Sequence, residues 1–335
     1  MKPGVFITVD VECSMGGAWA NPSLRPVSPE RAIWGRYGQQ QLGLPLICDI
    51  LAERGLPATF FVDAFIDEQG YPGESEPICH YLLGRGHDVQ LHIHPNHKHY
   101  ALKLAGKPFI HNDNMADLPP QEQMDLLAEG AERLTKWTGR RPVAFRAGNM
   151  AASEETLRLL PSAGIRIDSS YTFPYAGDQC RFPADELYNG TRDYGGVLEL
   201  ALSGFWQPRF GYFHAAKPLD LMGISFAECR RAIELITRAG ADAVVILHSF
   251  SLFKVRNIRY DGGRLNRIVA ARFRQLCRHL ATCGQSLSVS TLSQLHEAVC
   301  SRARPARSVA PCRLLNPMRR VVRKAAQLLN SIYWA

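Results

Sequence analysis

The sequence predicts an α/β fold built on a parallel sheet, open or closed into a barrel. Three observations carry that expectation. Short apolar runs alternate with longer amphipathic stretches along most of the chain, as strand–helix repeats do. Apolar residues make up 46% and charged residues 21%, as in ordinary globular domains, which argues against disorder and coiled coil. The 335 residues suit two ordinary domains or one large α/β unit and can bury a core without disulfides.

The elements follow in order. Val5–Val9 reads as a buried strand. Ala58–Val62, Val89–His92, Val143–Phe145, Ile165–Ile167, Val197–Leu200 and Ala243–Leu247 read the same way, being short and rich in β-branched or aromatic residues. Between them, Gln121–Thr138 has apolar positions at Met124, Leu126, Leu127, Ala131 and Leu134 and stops at Gly139, a helix with its C-terminal signal. Ser153 caps a helix running to about Leu160, and Ser225–Ala239 and Leu265–Leu280 are two more. Cys13–Val27, His97–Pro120 and Ser169–Gly223 lack clear periodicity and read as long loops, which are often functional. The last is rich in aromatics, among them Tyr171, Phe173, Tyr175, Phe182, Phe205, Trp206, Phe210, Tyr212 and Phe213, which can stack on sugar rings.

Charge and cysteine usage exclude several classes. The chain holds 39 Lys+Arg against 31 Asp+Glu, and eight of the basic residues with no acid fall in residues 301–335. The first 300 residues therefore balance, 31 against 31, which does not argue for a nucleic-acid-binding core. Nine cysteines without a C-x-x-C pair suggest buried reduced thiols rather than a disulfide framework or a cysteine zinc knuckle. A strand pattern begins at once in MKPGVFITVDVE, with no signal-peptide core, and a cytoplasmic location is expected. No run reaches about 18 consecutive apolar residues, so a transmembrane helix is not indicated.

Reactive side chains collect at or just after the C-terminal ends of the strands: Asp10 and Glu12, His92 and His94, Arg146, Asp168, and His248. In parallel α/β folds that edge is where active sites are built. Asp10 and Glu12 share a face of extended backbone and repel unless a cation or proton lies between them. His92 and His94 likewise face one way, and with one carboxylate they form a donor set typical of open catalytic zinc sites. Asp168 can orient the His248 ring, and Arg146 can hold Asp10 or pair with a structural acid.

This constellation resembles the polysaccharide deacetylase family, the NodB-homology enzymes. Thr8-Val9-Asp10-Val11-Glu12 resembles the family's first motif, and Ala58–Val62 the apolar strand after it. Gly86-His87-Asp88-Val89-Gln90-Leu91-His92 resembles the second, and Thr138-Gly139 through Pro142 with Phe145-Arg146-Ala147-Gly148 the third. Asp168-Ser169-Ser170 and Ile246-Leu247-His248-Ser249 resemble the fourth and fifth. The resemblance spans residues 4 to about 298, in family order.

It implies a distorted (β/α) barrel of about seven strands and metal-dependent hydrolysis of an N-acyl group, usually acetyl, on an amino sugar. Carried over, Asp10 is the general base for the attacking water. Glu12, His92 and His94 hold a divalent metal, expected to be zinc. His248, oriented by Asp168, protonates the leaving amine; Arg146 positions Asp10; and a backbone N–H near Asn149 serves the oxyanion. The family's usual second motif spaces its histidines four apart, whereas position 96 is Asn here. His94-Pro95 reproduces the motif's closing His-Pro, and His97 and Asn96 are the alternatives to His94. The usual Arg-x-Pro-Tyr of the third motif reads Arg-Ala-Gly-Asn. Rival readings are a deformylase or other amidohydrolase on a non-sugar amide, and an inactive carbohydrate-binding member.

The expected domains are residues 1–300, catalytic, and 301–335, a basic tail ending in an amphipathic helix. In that helix Val321, Val322, Ala325, Leu328, Leu329 and Ile332 form one face and Arg319, Arg320, Arg323, Lys324 and Gln327 the other, with Tyr333 and Trp334 at its end. Two readings stand: docking on an anionic membrane surface at the inner face, with a lipid-linked saccharide as substrate, or packing on the barrel with the basic face solvated.

Overall fold

The computed structural model describes residues 2–185, 187–208, 215–301 and 305–332. Strands β1 (Gly4–Val11), β2 (Thr59–Asp63), β3 (Asp88–Ile93), β4 (Ala144–Ala147) and β5 (Ile167–Asp168) lie side by side in chain order, all parallel. After β5 the chain makes β6 (Asn189–Asp193), which returns antiparallel onto β7 (Leu198–Leu200), while β7 pairs in parallel with β5. Strand β8 (Ala243–His248) takes the free side of β1, and the short β9 (Ser288–Val289) joins the start of β1. With β10 (Ser308–Val309) on β6, the path is β8-β1-β2-β3-β4-β5-β7-β6-β10. All seven strands expected from the sequence are in this sheet.

The sheet curls until its ends meet. Beyond β7, Ser203 Oγ accepts from Val244 N at 2.9 Å in β8, and Asp220 bridges to Ile246. This is the distorted (β/α) barrel the sequence predicts. Alternation along each strand assigns the two faces. Phe6, Phe61, Ala144, Ile167, Leu198, Val244 and Ile246 form one buried cluster inside the curl, joined by Leu292 and Leu295. Val5, Ile7, Val9, Phe60, Val62, Leu91 and Ile93 belong to the outer core beneath the helices.

Helices α1 (Leu44–Ala52), α2 (Ser75–Gly84), α3 (Pro95–Leu104), α4 (Pro120–Thr138), α5 (Glu154–Leu159), α6 (Phe226–Arg238), α7 (Arg267–Thr282) and α8 (Leu292–Cys300) surround the strands. Ser153, Ser225 and Thr291 each form a capping box with the residue three on, which satisfies two end donors at once. Gly139 ends α4 in the left-handed conformation, φ 70°. Helix α3 corrects the expectation of a loop over His97–Pro120: His94 and Pro95 start it, since proline at a first helical position is preorganised. The polar composition of that turn hides it from a periodicity reading.

All nine cysteines are free, six of them buried. The aromatic segment after β5 also departs from expectation: Tyr171, Phe173, Phe182 and Phe205 are buried in the core, and Tyr171 stacks on Tyr188 at 4.2 Å. Phe210, Tyr212 and Phe213 lie outside the described residues. The boundary expected after residue 300 falls inside packed structure. Beyond it, Ser308–Val309 pairs with Asn189–Gly190, Cys312–Arg313 pairs with Phe205–Trp206, and Leu314 is buried. Helix α9 (Pro317–Ile332) follows; Tyr333 and Trp334 lie outside the described residues.

Candidate active site

Asp10, Glu12, His92, His94 and His248 line one cavity of about 140 Å³ at the C-terminal edge of the curled sheet. Strand parity puts them there. Asp10 continues the inward series of Phe6 and Thr8, and His92 lies two strands away on β3, aligned with Asp63 of β2 and Arg146 of β4. Asp10 is directly in register with His248 across the β1–β8 pair.

Glu12, His92 and His94 offer ligand atoms that all lie within 4.8 Å of one another. His92 Nε2 is 3.0 Å and His94 Nε2 2.6 Å from the same oxygen, Glu12 Oε2. The far ring nitrogens are engaged: His92 Nδ1 faces the Arg146 carbonyl at 2.8 Å, and His94 Nδ1 faces Asp113 Oδ2 at 2.9 Å. Both of those partners accept only, so each Nδ1 carries a proton, and each Nε2 is turned to Glu12. Two imidazole lone pairs and a carboxylate oxygen meeting at one point demand positive charge. Burial would raise the Glu12 pKa, but the His94 and His92 rings overcome it and hold the carboxyl well below its ordinary value. Burial would lower His94; Asp113 and Glu12 overcome it and hold the ring well above its ordinary value. A divalent cation satisfies that demand with both rings neutral, so the residues fit a metal.

Beside this cluster Arg146 and Asp10 form a buried ion pair. Arg146 Nη1 is 2.6 Å from Asp10 Oδ1 and 3.0 Å from Thr8 Oγ1, while Nε and Nη2 donate to Ser169 O and Oγ. The guanidinium also lies 4.2 Å over the Phe61 ring. One Asp10 oxygen is thus fixed, which aims the other carboxylate oxygen. On the far side of Glu12, His248 Nε2 is 4.0 Å from Glu12 Oε1, and its ring stacks on Phe250.

One expected placement changes. Asp168 does not face His248. Ile167 points into the curl, so Asp168 points out, beside Glu199 of β7. Its oxygens accept from Ser170 N and Oγ at 2.9 Å each. Burial and the neighbouring Asp168 carboxylate push the Glu199 pKa well up. The acid beside His248 is Asp220, whose pKa burial raises and His248 pulls back. His97 turns to Asp63 through Nδ1 and is not part of the Glu12–His92–His94 group.

Asp63, Asp113 and Asp220 were not singled out in the sequence. Asp63 was legible as a strand-end acid; Asp113 and Asp220 sit in irregular chain and had no local signal. Asp113 also accepts from Asn96 N and from Asn149 Nδ2, and the His94 ring draws its pKa down to about 2 against the effect of burial. Asn149 and Met150 both adopt positive φ, 57° and 58°, a rare conformation for non-glycine residues. Gly148 explains part of the altered third motif: a Cβ there would lie 2.5 Å from His94 Nδ1.

The polysaccharide deacetylase family profile matches residues 39–167. That segment is similar to the polysaccharide deacetylase family. It spans β2 to the start of β5 and contains His92, His94 and Arg146; β1 and β8 bring Asp10, Glu12 and His248 to it from outside the matched range. A candidate polysaccharide deacetylase from Mycobacterium smegmatis is similar in structure, with a TM-score of 0.55, 17% identity, and coverage of 92% of this chain and 94% of that one. A family 4 carbohydrate esterase from Streptomyces lividans, in complex with acetate, gives a TM-score of 0.44 at 12% identity, over 92% and 98% of the two chains. No curated protein matches the sequence. The likeness to the Mycobacterium smegmatis structure shows a shared fold over nearly the whole chain.

Proposed function

We propose that this protein is a metal-dependent N-deacetylase acting on an N-acetylated amino sugar. The observation that carries the reading is the convergence of His92 Nε2 and His94 Nε2 on Glu12 Oε2, with the Arg146-held Asp10 beside it and His248 across the same cavity. A divalent cation held by Glu12, His92 and His94, zinc by its donor set, would polarise the acyl oxygen and acidify water. Asp10 takes the proton of the attacking water on the oxygen that Arg146 leaves free. The backbone N–H groups around Asn149 and Met150 support the oxyanion. The C–N bond then breaks, and His248 gives its proton to the leaving nitrogen, releasing carboxylic acid and free amine. Asp220, which lines the same cavity as His248, takes the place expected of Asp168.

The cavity of about 140 Å³ is near the size that admits a benzene-sized group, which suits an acetamido group with the sugar at the mouth. Tyr175, 39% exposed, borders that mouth and offers the ring for stacking. We further read the substrate as a glycan or lipid-linked saccharide handled in the cytoplasm, on the strength of the basic tail. The test is acetate release from N-acetylglucosamine oligosaccharides together with bound-metal analysis. About one metal per chain and acetate release are expected, both lost in His92→Ala and His94→Ala but not in His97→Ala. Asp10→Asn should keep metal and lose at least ~100-fold in rate. Metal without acetate release from any sugar would favour a non-sugar amide; neither would favour an inactive binding protein.

A further inference from the structure

Helix α9 sits on the molecule with its polar side down. Met318, Val321, Val322 and Leu328 are 64%, 58%, 59% and 63% exposed, and Leu315 just before them is 87% exposed. At 100° per residue these helical positions share one side. The other side meets the body. Arg323 is only 1% exposed; Nη1 donates to Gly223 O at 3.2 Å and lies 3.7 Å from Glu228 Oε1, itself buried on α6. Gln327 donates to the same Gly223 carbonyl. With its amide turned to accept, Gln207 places its oxygen 2.6 and 2.8 Å from the Arg323 guanidinium. Both earlier readings of the tail are thereby altered: the helix does pack on the barrel, and the face left to solvent is the apolar one.

We propose that this outward apolar face of α9, with the exposed Lys324 at its edge, docks on an anionic lipid surface. Charge selects that occupant. Residues 301–335 carry eight basic residues and no acid, so an acidic bilayer attracts what a second copy of this chain would repel. A helix of 16 residues offering one apolar stripe beside cations is the form of an in-plane membrane helix. The helix is also tied to the catalytic cavity. Asp220 lines that cavity, and three residues on, the Gly223 carbonyl grips Arg323 and Gln327. Docking would set the turn 220–223 next to the lipid surface and favour an amino sugar presented on a lipid carrier. That substrate rests on the deacetylase reading; the docking does not.

The experiment is flotation of the full chain with vesicles of phosphatidylcholine alone or with one third phosphatidylglycerol. Flotation with the anionic vesicles only, weakening as salt rises, is expected. Val321→Glu with Val322→Glu should reduce bound protein at least ~10-fold, and Arg320→Glu with Lys324→Glu should do the same at low salt. A chain ending at Asn316 guards against misfolding of these variants and should also stay at the bottom. Acetate release from a soluble oligosaccharide should be unchanged in every variant, which separates failure of docking from failure of catalysis. No flotation of the full chain, or flotation that survives these changes, overturns the proposal. So does a dimer in sedimentation that the Val321/Val322 substitutions abolish while vesicles are ignored.

Discussion

At position 148 the missing side chain is the point. A Cβ would meet the His94 ring at 2.5 Å from Nδ1 and 2.6 Å from Cε1, so Gly148→Ala must push a candidate ligand aside. Metal affinity is expected to fall by roughly 10- to 100-fold, as for loss of a ligand's support, read by chelator competition. Asp113→Ala removes the acceptor of His94 Nδ1–H and should weaken metal by a similar factor, with Asp113→Glu recovering part of it. Arg146→Ala would strand Asp10, 1% exposed, as an unpaired buried charge. A loss of about 3–5 kcal/mol in denaturant unfolding is expected. Much of the site was legible residue by residue, because Asp10, Glu12, His92, His94, Arg146 and His248 all follow apolar strand runs. Asp168 looked equivalent and was not: its strand enters one residue out of phase, and a two-residue strand holds too few positions to show parity. Asp113 acts on a histidine 19 residues away, a pairing only the folded chain reveals.

At the scale of elements, the long periodic helices and the apolar strands were plain in the sequence, since burial writes period and alternation into it. The edge strands were not. Ser308–Val309 and Cys312–Arg313 are two residues each, and their partners lie more than 100 residues back. The charge change at residue 301 suggested a separate tail where the structure has two strand pairings and a buried Leu314. The two possible truncations therefore differ. A chain ending at Asn316 should melt within about 3 °C of the full protein, while one ending at Cys300 should melt more than about 5 °C lower, given some 2–4 °C per kcal/mol for a domain of this order. Calorimetry checks both.

Across the whole molecule, the three ligands of the candidate centre come from β1 and β3 with β2 between them, so an ion there ties neighbouring segments of the curl. Stripping metal with a chelator should lower the melting temperature, and re-adding zinc at about 100 times Kd should restore roughly 2.7 kcal/mol. Equal melting curves with and without metal would speak against the centre. The barrel class was readable from strand–helix alternation, and the family resemblance narrowed it. The inverted seating of α9 was not readable, because a helical wheel shows two faces and not which one is turned inward.

The pairing of β1 with β8 also sets a clock. Val5 lies against Ala243 and Asp10 against His248, so the first strand made has to wait for nearly the last. At 5–20 residues per second of synthesis, the wait is on the order of 12–48 s, and closing so long a loop costs about 5 kcal/mol of chain entropy. Until then the apolar Phe6–Val9 edge has only β2 beside it and remains open to wrong partners. Asp10 and His248, the proposed base and acid, meet in that last closure, so the candidate site is incomplete on a nascent chain until its barrel is finished.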